Sequence, residues 1–458
     1  MEQLKLIIES INDFAWGGFM IVLLVGTGIV LSIGTRLVQF RKLRYAFKLL
    51  FMKSNNNNGD ITAFQALMTS LAATIGTGNI AGVSTAIASG GPGAVFWMWV
   101  TAAFGGATKF SEALLAIKYR ITNEKGEKSG GPMYYIKYGF KDVYRLHFGW
   151  LGWLFALFGF LASFGIGSMV QSNSVAESLN TSFGISPYIT GIVVALITAL
   201  VILGGIKSIA NVTDKIVPTM AILYISASLY VLFLRFSLIP EAFNMIFCNA
   251  FSARAVSGGF IGTVVRYGVA RGVFSNEAGL GSAAIVHAAS KINNPVKQGI
   301  IGTLGSFIDT LLICTMTALV ILVSGLITFD ASGKMFIADN LTGAALTTRA
   351  FSTAIPGYGS IMVSVGLVFF AFSTILGWYY YGSKCLEFIA GVKIIWLYKI
   401  VFIILCWSGS WLSLDLVWNI ADTFNGLMAI PNLIGLLALS PIIFKMTYKF
   451  DKKKRFFK

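Results

Sequence analysis

Two short stretches of this 458-residue chain hold residue types suited to gripping a small ion and a carboxylate together. One is Gly76-Thr77-Gly78-Asn79-Ile80-Ala81-Gly82. The other is Ser275-Asn276-Glu277-Ala278-Gly279-Leu280-Gly281. Each interrupts a long apolar run. A glycine weakens a helix by about 1 kcal/mol relative to alanine, and Asn and Ser compete for its backbone hydrogen bonds. The pattern predicts local unwinding, which membrane depth tolerates only where the backbone lines a cavity. Unwinding frees N–H groups at the start of one half-helix, where the positive dipole end suits a carboxylate. It frees C=O groups at the end of the other half, which suit Na+. Thr77, Asn79, Ser275 and Asn276 add side-chain oxygens.

The stretches also resemble each other. Asn79-Ile80-Ala81-Gly82-Val83-Ser84-Thr85-Ala86 aligns with Asn276-Glu277-Ala278-Gly279-Leu280-Gly281-Ser282-Ala283 at an offset of 197. Both read Asn-x-Ala-Gly-(Val/Leu)-x-(Thr/Ser)-Ala. Gly and Ala pack membrane helices closely in general, so the motif alone is weak. Its topology adds weight. Five spans separate the breaks, so the two helices run in opposite directions, and an inverted repeat of broken helices points to a transporter binding site.

Ionisable residues inside spans are functional candidates. Glu112, Glu277 and Asp309 qualify. Glu277 has Lys109, Arg266 and Arg271 as possible partners, or gates the pathway. Asp309 neighbours a sodium site or carries a proton. Asp422 and Asn425 are read as contacts between helices. An intramembrane enzyme would need a nucleophile, a base and an orienting partner, and nothing is spaced to serve His287. That histidine is read as satisfied and water-facing. A channel usually relies on symmetric assembly around a filter loop, whereas an internal repeat favours alternating access. Cys248, Cys314, Cys385 and Cys406 have no metal-ligand spacing.

The elements that must position these residues follow from composition. The chain is 56% hydrophobic and 12% charged, with a mean hydropathy of +0.77. A soluble domain carries roughly twice that charge. Soluble enzymes, disordered chains and disulfide scaffolds are therefore excluded. Eleven apolar runs are long enough to cross a bilayer: 14–35, 61–88, 93–117, 149–177, 187–206, 214–234, 258–290, 298–328, 356–383, 394–411 and 416–444. They are continuous rather than alternating, which favours helices over a barrel. Residues Glu2, Lys5 and Glu9 precede the first run, and no removable signal peptide is expected. The net charge of +16 would suggest nucleic acid in a soluble protein, yet 27 of the 35 cations fall on one side of the predicted topology and 5 on the other. That asymmetry sets the N-terminus outside and the C-terminus in the cytoplasm, with no nucleic-acid partner. A short surface helix is expected around Ala344-Ala345-Leu346.

Three segments resemble the sodium:alanine symporter family (alanine/glycine:cation symporters). They are Gly90-Gly91-Pro92-Gly93-Ala94-Val95-Phe96-Trp97-Met98-Trp99-Val100-Thr101-Ala102-Ala103-Phe104-Gly105, Gly130-Gly131-Pro132-Met133-Tyr134-Tyr135-Ile136 and Gly272-Val273-Phe274-Ser275-Asn276-Glu277-Ala278-Gly279. The match spans about 60 to 440. The resemblance implies an all-α polytopic fold of the leucine-transporter type. One extra N-terminal helix precedes a five-plus-five inverted repeat whose core helices 1 and 6 are broken. The segments are then 1–60 for the extra helix and linker, 61–235 and 236–445 for the repeats, and 446–458 for a basic tail.

The family further implies uptake of alanine or glycine driven by Na+, with H+ as the alternative, in a prokaryotic plasma (inner) membrane, and no obligatory protein partner beside the lipid. By resemblance, Asn79 binds a sodium ion that also touches the substrate carboxylate. A second sodium would use the carbonyls of Ala72, Ile75 and Ala371 and the Thr374 hydroxyl. The fold often has a Ser after that Thr; here it is Ile375. Gln171, Phe274, Thr374 and Trp378 match pocket positions, joining Thr77, Gly78 and Ser275 of the breaks. Bulky Phe274 and Trp378 leave room for a small side chain only. Glu112 resembles a glutamate that accepts N–H groups from the unwound sixth helix.

Overall fold

The structure is a computed structural model in which residues 10–52, 59–251, 262–330, 334–412 and 415–455 are described. The first helix, α1, is Ser10–Gly34. The first broken helix follows: α2 is Ala63–Thr74 and α3 is Val83–Gly90, joined through Ile75–Thr77 and a π-helical turn at Gly78–Gly82. The two arms bend by 54°. A capping box opens α2. The Thr62 hydroxyl accepts the Gln65 N–H at 3.1 Å, and the Gln65 side chain accepts the Thr62 N–H at 3.1 Å.

The remaining long helices are α4 Ala94–Lys118, α5 Pro132–Tyr144, α6 Gly149–Phe183, α7 Pro187–Leu203, α8 Gly205–Leu234 and α9 Ile239–Ala250. The second broken helix comprises α10 Thr263–Asn276 and α11 Ser282–His287. Then follow α12 Pro295–Leu322, α13 Gly343–Ala354, α14 Gly359–Ala390, α15 Val392–Gly409, α16 Val417–Ala438 and α17 Ser440–Arg455.

Among the described residues, seven helices are long and apolar enough to cross a membrane, or eight if the bent α2–α3 pair is one span. This is fewer than the eleven expected, for identifiable reasons. Helix α4 carries Lys109, Glu112 and Lys118, α7 has only 17 residues, and the second broken helix is split into pieces of 14 and 6.

Small residues let α4 approach both α12 and the turn between α10 and α11 closely. A Cβ on Gly302 would sit 3.0 Å from the Lys109 carbonyl, and one on Gly105 would sit 2.7 Å from the Ala278 Cβ. Two long helices contain π segments, Gly165–Met169 in α6 and Phe307–Cys314 in α12. Such turns frequently mark functional sites.

Helix α13 departs from the expected surface helix. Leu346, Thr347, Ala350 and Phe351 are fully buried, and the Thr347 hydroxyl donates to the Ile80 carbonyl at 2.9 Å. At the end of the molecule bearing the basic loops, a hairpin of β1 Ile121–Thr122 and β2 Lys128–Ser129 docks on the end of α14. There Lys384 pairs with Glu127 at 3.0 Å and with Glu387 at 2.8 Å. Burial disfavours the Glu127 carboxylate, but the Lys384 ammonium, the hydrogen bonds from Lys384 and Asn123 and the nearby Lys125 together hold the group below its usual value. Asp60 shows the opposite balance: burial raises it, although it accepts the Lys128 N–H at 2.8 Å. The C-terminal α17 joins the first segment through Asp451, 3.0 Å from Arg41 and 2.9 Å from Lys42.

Candidate functional site

The end of α2 meets the middle of α14. The Thr374 hydroxyl lies 3.0 Å from the Ala72 carbonyl, 3.4 Å from that of Ile75 and 2.9 Å from that of Phe370. Ser373 approaches Ala72 O at 3.3 Å and Phe370 O at 2.9 Å. Glycine at 76 permits this contact, since a Cβ there would sit 2.5 Å from the Thr374 hydroxyl. Ala371 lies buried one turn earlier on α14.

A second cluster ties the breaks to each other. Asn79 is fully buried; its side-chain Oδ1 accepts the Gly76 N–H at 2.9 Å and its side-chain amide donates to Asp309 at 2.8 Å. The other Asp309 oxygen accepts from Ser275 at 2.8 Å and from Thr310 at 2.7 Å. Asp309 therefore touches a residue of each break. Asn276 turns back to accept the Ala278 N–H at 2.9 Å, which shapes the second break.

A third group surrounds two adjoining cavities. A cavity of about 300 Å³ is lined by Thr77, Gly78, Arg271, Phe274, Asn419 and Asp422, among others. A second, about 400 Å³, shares the last four of these and extends to Asp13. A Cβ on Gly78 would contact the Phe274 ring at 3.3 Å. The Gln171 amide donates to Thr77 at 3.3 Å and to the Ile166 carbonyl at 3.1 Å, while its own oxygen is buried without a partner. Trp378 is buried and is not among the residues that line the two cavities. Gly167 makes room for it, because a Cβ there would lie 2.3 Å from the Trp378 Cβ.

The second break is braced from α4. One oxygen of Glu112 accepts the N–H groups of Gly279 and Gly281, each at 3.1 Å, and the Asn432 amide at 2.8 Å. Positive φ values at Glu277, Gly279 and Gly281 (55°, 94° and 83°) form the turn that points those N–H groups at it. Of the three cations considered for Glu277, Lys109 is the one in electrostatic reach. Arg266 pairs instead with Asp13 at 2.7 Å, and Arg271 lies 5.7 Å from the Phe274 ring centre. Glu277 also accepts a short hydrogen bond from Ser282.

His287 is not water-facing. It is buried, with Nδ1 2.8 Å from the Gln298 amide. Asp422 does more than join helices, since it lines both cavities. The caps on the first break escaped sequence reasoning: Thr317 donates to the Asn79 carbonyl at 2.8 Å and Thr347 to that of Ile80. No local motif announces them, because both come from distant segments.

Comparison with known proteins places the chain in a family. Residues 1–457 match the profile of the sodium:alanine symporter family. The sodium/alanine symporter AgcS of Methanococcus maripaludis is 52% identical over 453 residues, covering 98% of both chains. YrbD of Bacillus subtilis, named as a sodium/proton-dependent alanine carrier, is 37% identical over 456 residues, covering 98% of this chain and 93% of its own. Among solved structures, an Eremococcus coleocola manganese transporter superposes with a TM-score of 0.53 over 84% of this chain and 81% of its own, at 14% identity. That likeness concerns the fold alone.

Proposed function

Because the chain belongs to the sodium:alanine symporter family, we propose that it imports alanine, glycine or both by symport with Na+. It is a multi-pass membrane transporter, as are its named relatives. In our reading eleven helices cross the membrane, one extra helix followed by a five-plus-five inverted repeat. The basic loops face the cytoplasm and the N-terminus lies outside.

The observation that carries the cation reading is a shortage of donors around Thr374. Its hydroxyl has a single proton, yet the Ala72 and Ile75 carbonyls, at the end of α2 where helical N–H donors run out, both lie within 3.4 Å, and the Phe370 carbonyl of its own helix competes for the same proton. Ser373 adds one more proton but is shared between the Ala72 and Phe370 carbonyls. A small monovalent cation would satisfy the Thr374 hydroxyl and the two α2 carbonyls at once. A second cation fits beside Asp309, with the oxygens of Ser275, Thr310 and Asn79. The Asn79 side-chain Oδ1 would exchange the Gly76 N–H for the ion. The substrate carboxylate then meets that ion and the free N–H groups of the breaks. Its small side chain lies among Gln171, Thr77, Phe274 and Trp378.

Rocking of the broken helices against the rest closes one side and opens the other. Each Na+ carried inward gains about 2.3 kcal/mol per 100 mV of membrane potential. H+ is the second reading for the coupling ion, favoured by the name of YrbD and by the buried Asp309 and Glu277 carboxyls.

Uptake of labelled alanine into proteoliposomes tests the proposal. An inward Na+ gradient should drive accumulation, and a membrane potential negative inside should increase it. Accumulation driven by a proton gradient with Na+ absent would transfer the role to H+. Uptake indifferent to both gradients would refute symport.

A further inference from the structure

The offset that aligns the two breaks continues along the chain. Asn79 and Asn276 are 197 residues apart, and so are Gly105 and Gly302, Phe110 and Phe307, Leu114 and Leu311, and Leu115 and Leu312. The acids Glu112 and Asp309 keep the same spacing. Their contacts cross over. Glu112 on α4 holds the N–H groups of the second break, and Asp309 on α12 holds Asn79 of the first. Each carboxylate thus reaches the broken helix of the opposite half, and Asp309 holds Ser275 of its own half as well.

The two halves differ one turn before these acids. Three residues before Glu112 stands Lys109; three residues before Asp309 stands Ser306. The Lys109 side chain is 1% exposed and its ammonium has no hydrogen-bond partner. It lies against Gly305, where a Cβ would be 3.8 Å from Nζ, and within electrostatic reach of Glu112, Glu277, Asp309 and His287. Ser306 is fully buried, and its hydroxyl also lacks a partner. The free oxygen of Glu112 is unpartnered as well.

A buried carboxylate requires a counter-charge. On the Glu112 side the chain supplies one covalently. On the Asp309 side it supplies hydroxyl oxygens, those of Ser275 and Thr310 in contact and that of Ser306 one turn away. Hydroxyl and carboxylate oxygens are ligands for a hard cation, and an ammonium is not. We propose that Lys109 is a tethered substitute for a coupling cation, filling on the Glu112 side the position that an exchangeable ion takes beside Asp309. The inference rests on the cation reading above for the Asp309 side alone. It makes Lys109 a determinant of how many ions the carrier needs. The serine that mirrors it should convert its position into a site that recruits Na+.

Thermal unfolding of the purified full-length chain, with NaCl replaced by choline chloride at constant ionic strength and no substrate, tests this. Lys109→Ser should unfold at lower temperature than the wild type in choline. Its response to Na+ should be about one and a half times the wild-type response, as three binding sites in place of two require. Lys109→Met, which offers no ligand oxygen, should be destabilised without the extra response. Ser306→Lys should place an ammonium beside Asp309 and abolish part of the wild-type response. A monodisperse Lys109→Ser whose Na+ response equals that of the wild type overturns the proposal. If Lys109→Ser fails to fold, a folded Ser306→Lys with an undiminished response overturns it equally. A wild-type chain that ignores Na+ refutes the sodium reading, while a response gained by Lys109→Ser would still support the inference.

Discussion

Glu112 offers the sharpest test of how the second break is held. Its Oε1 accepts two backbone N–H groups at 3.1 Å and the Asn432 amide at 2.8 Å. Glu112→Gln keeps the shape and an acceptor but removes the charge. A hydrogen bond to a charged group contributes about 1.5–3 kcal/mol and a neutral one about 0.5–1.5 kcal/mol. Each of the three bonds then loses about 1 kcal/mol, roughly 3 kcal/mol in all. Two of them protect the amides of Gly279 and Gly281, so opening at those two glycines becomes easier by about 2 kcal/mol. At tenfold per 1.4 kcal/mol, their hydrogen exchange should accelerate roughly thirtyfold. Glu112→Ala should cost more, because it leaves two buried N–H groups unpaired at about 1–3 kcal/mol each. Hydrogen exchange followed by mass spectrometry on peptides covering 277–282 reads the local effect. The unfolding midpoint, followed by tryptophan fluorescence, reads the global one. Unchanged exchange at Gly279 and Gly281 in a folded Glu112→Gln protein would refute the brace. Additivity of Glu112→Gln with Lys109→Met would refute the pairing of those two charges, since coupled neighbours deviate by about 0.5–3 kcal/mol.

Three further outcomes are expected. Thr374→Val keeps the side-chain shape but removes the hydroxyl from the Ala72 and Ile75 carbonyls; the Na+ concentration for half-maximal uptake should rise roughly tenfold, for about 1.4 kcal/mol per ligand, and an unchanged value would exclude Thr374 as a ligand. Trp378→Ala should open space in the proposed substrate site, so competition by leucine against labelled alanine should appear; absence of competition in a transport-competent variant would dismiss the steric filter. Glu127, held below the usual carboxylate value of 4.5 mainly by Lys384 against the opposing effect of burial, should stabilise the hairpin dock. Because the folded value is depressed, that contribution is present above pH about 4.5 and disappears as pH falls through the folded value. Glu127→Gln should flatten this acid limb in unfolding midpoints, and an identical limb in the variant would remove Lys384–Glu127 from its cause.

The two breaks are legible in the sequence because glycine and asparagine act on the backbone locally. Gly76, Gly78 and Gly82 signal the 54° bend, and Gly279 and Gly281 take the positive φ their spacing suggests. The span count is less legible. Polar residues that serve the site, Lys109 and Glu112, lower the hydropathy of the helix that carries them. The π segment at Phe307–Cys314 leaves almost no signal: its one cue is Asp309-Thr310 within an apolar run. The cavity at Arg271 and Asp422 unites residues about 150 positions apart, and no local pattern encodes such a meeting. The same holds for α13, whose sequence reads as an exposed amphipathic helix until Thr347 is seen to cap Ile80. Backbone conformation is encoded nearby; convergence is encoded by the whole fold.

Convergence also explains why ion and substrate should bind together. Asp309 is bonded to Asn79 in one break and to Ser275 in the other. Thr374 links the end of α2 to α14, so both proposed cation positions would span elements that alternating access moves relative to each other. A cation beside Asp309 draws in oxygens from both breaks and fixes their separation. That separation sets the width of the site between Thr77, Gly78 and Phe274, where a Cβ on Gly78 would already touch the ring at 3.3 Å. A substrate held there meets a preorganised gap only when the ion has set it. Its own carboxylate then adds a ligand the ion would otherwise lack. Each binding event lowers the ordering cost of the other, and reciprocity of coupling free energies makes the effect mutual. The buried negative charge of Asp309 keeps this coupling strict: without a cation it opposes the approach of a second carboxylate, and with one it favours it.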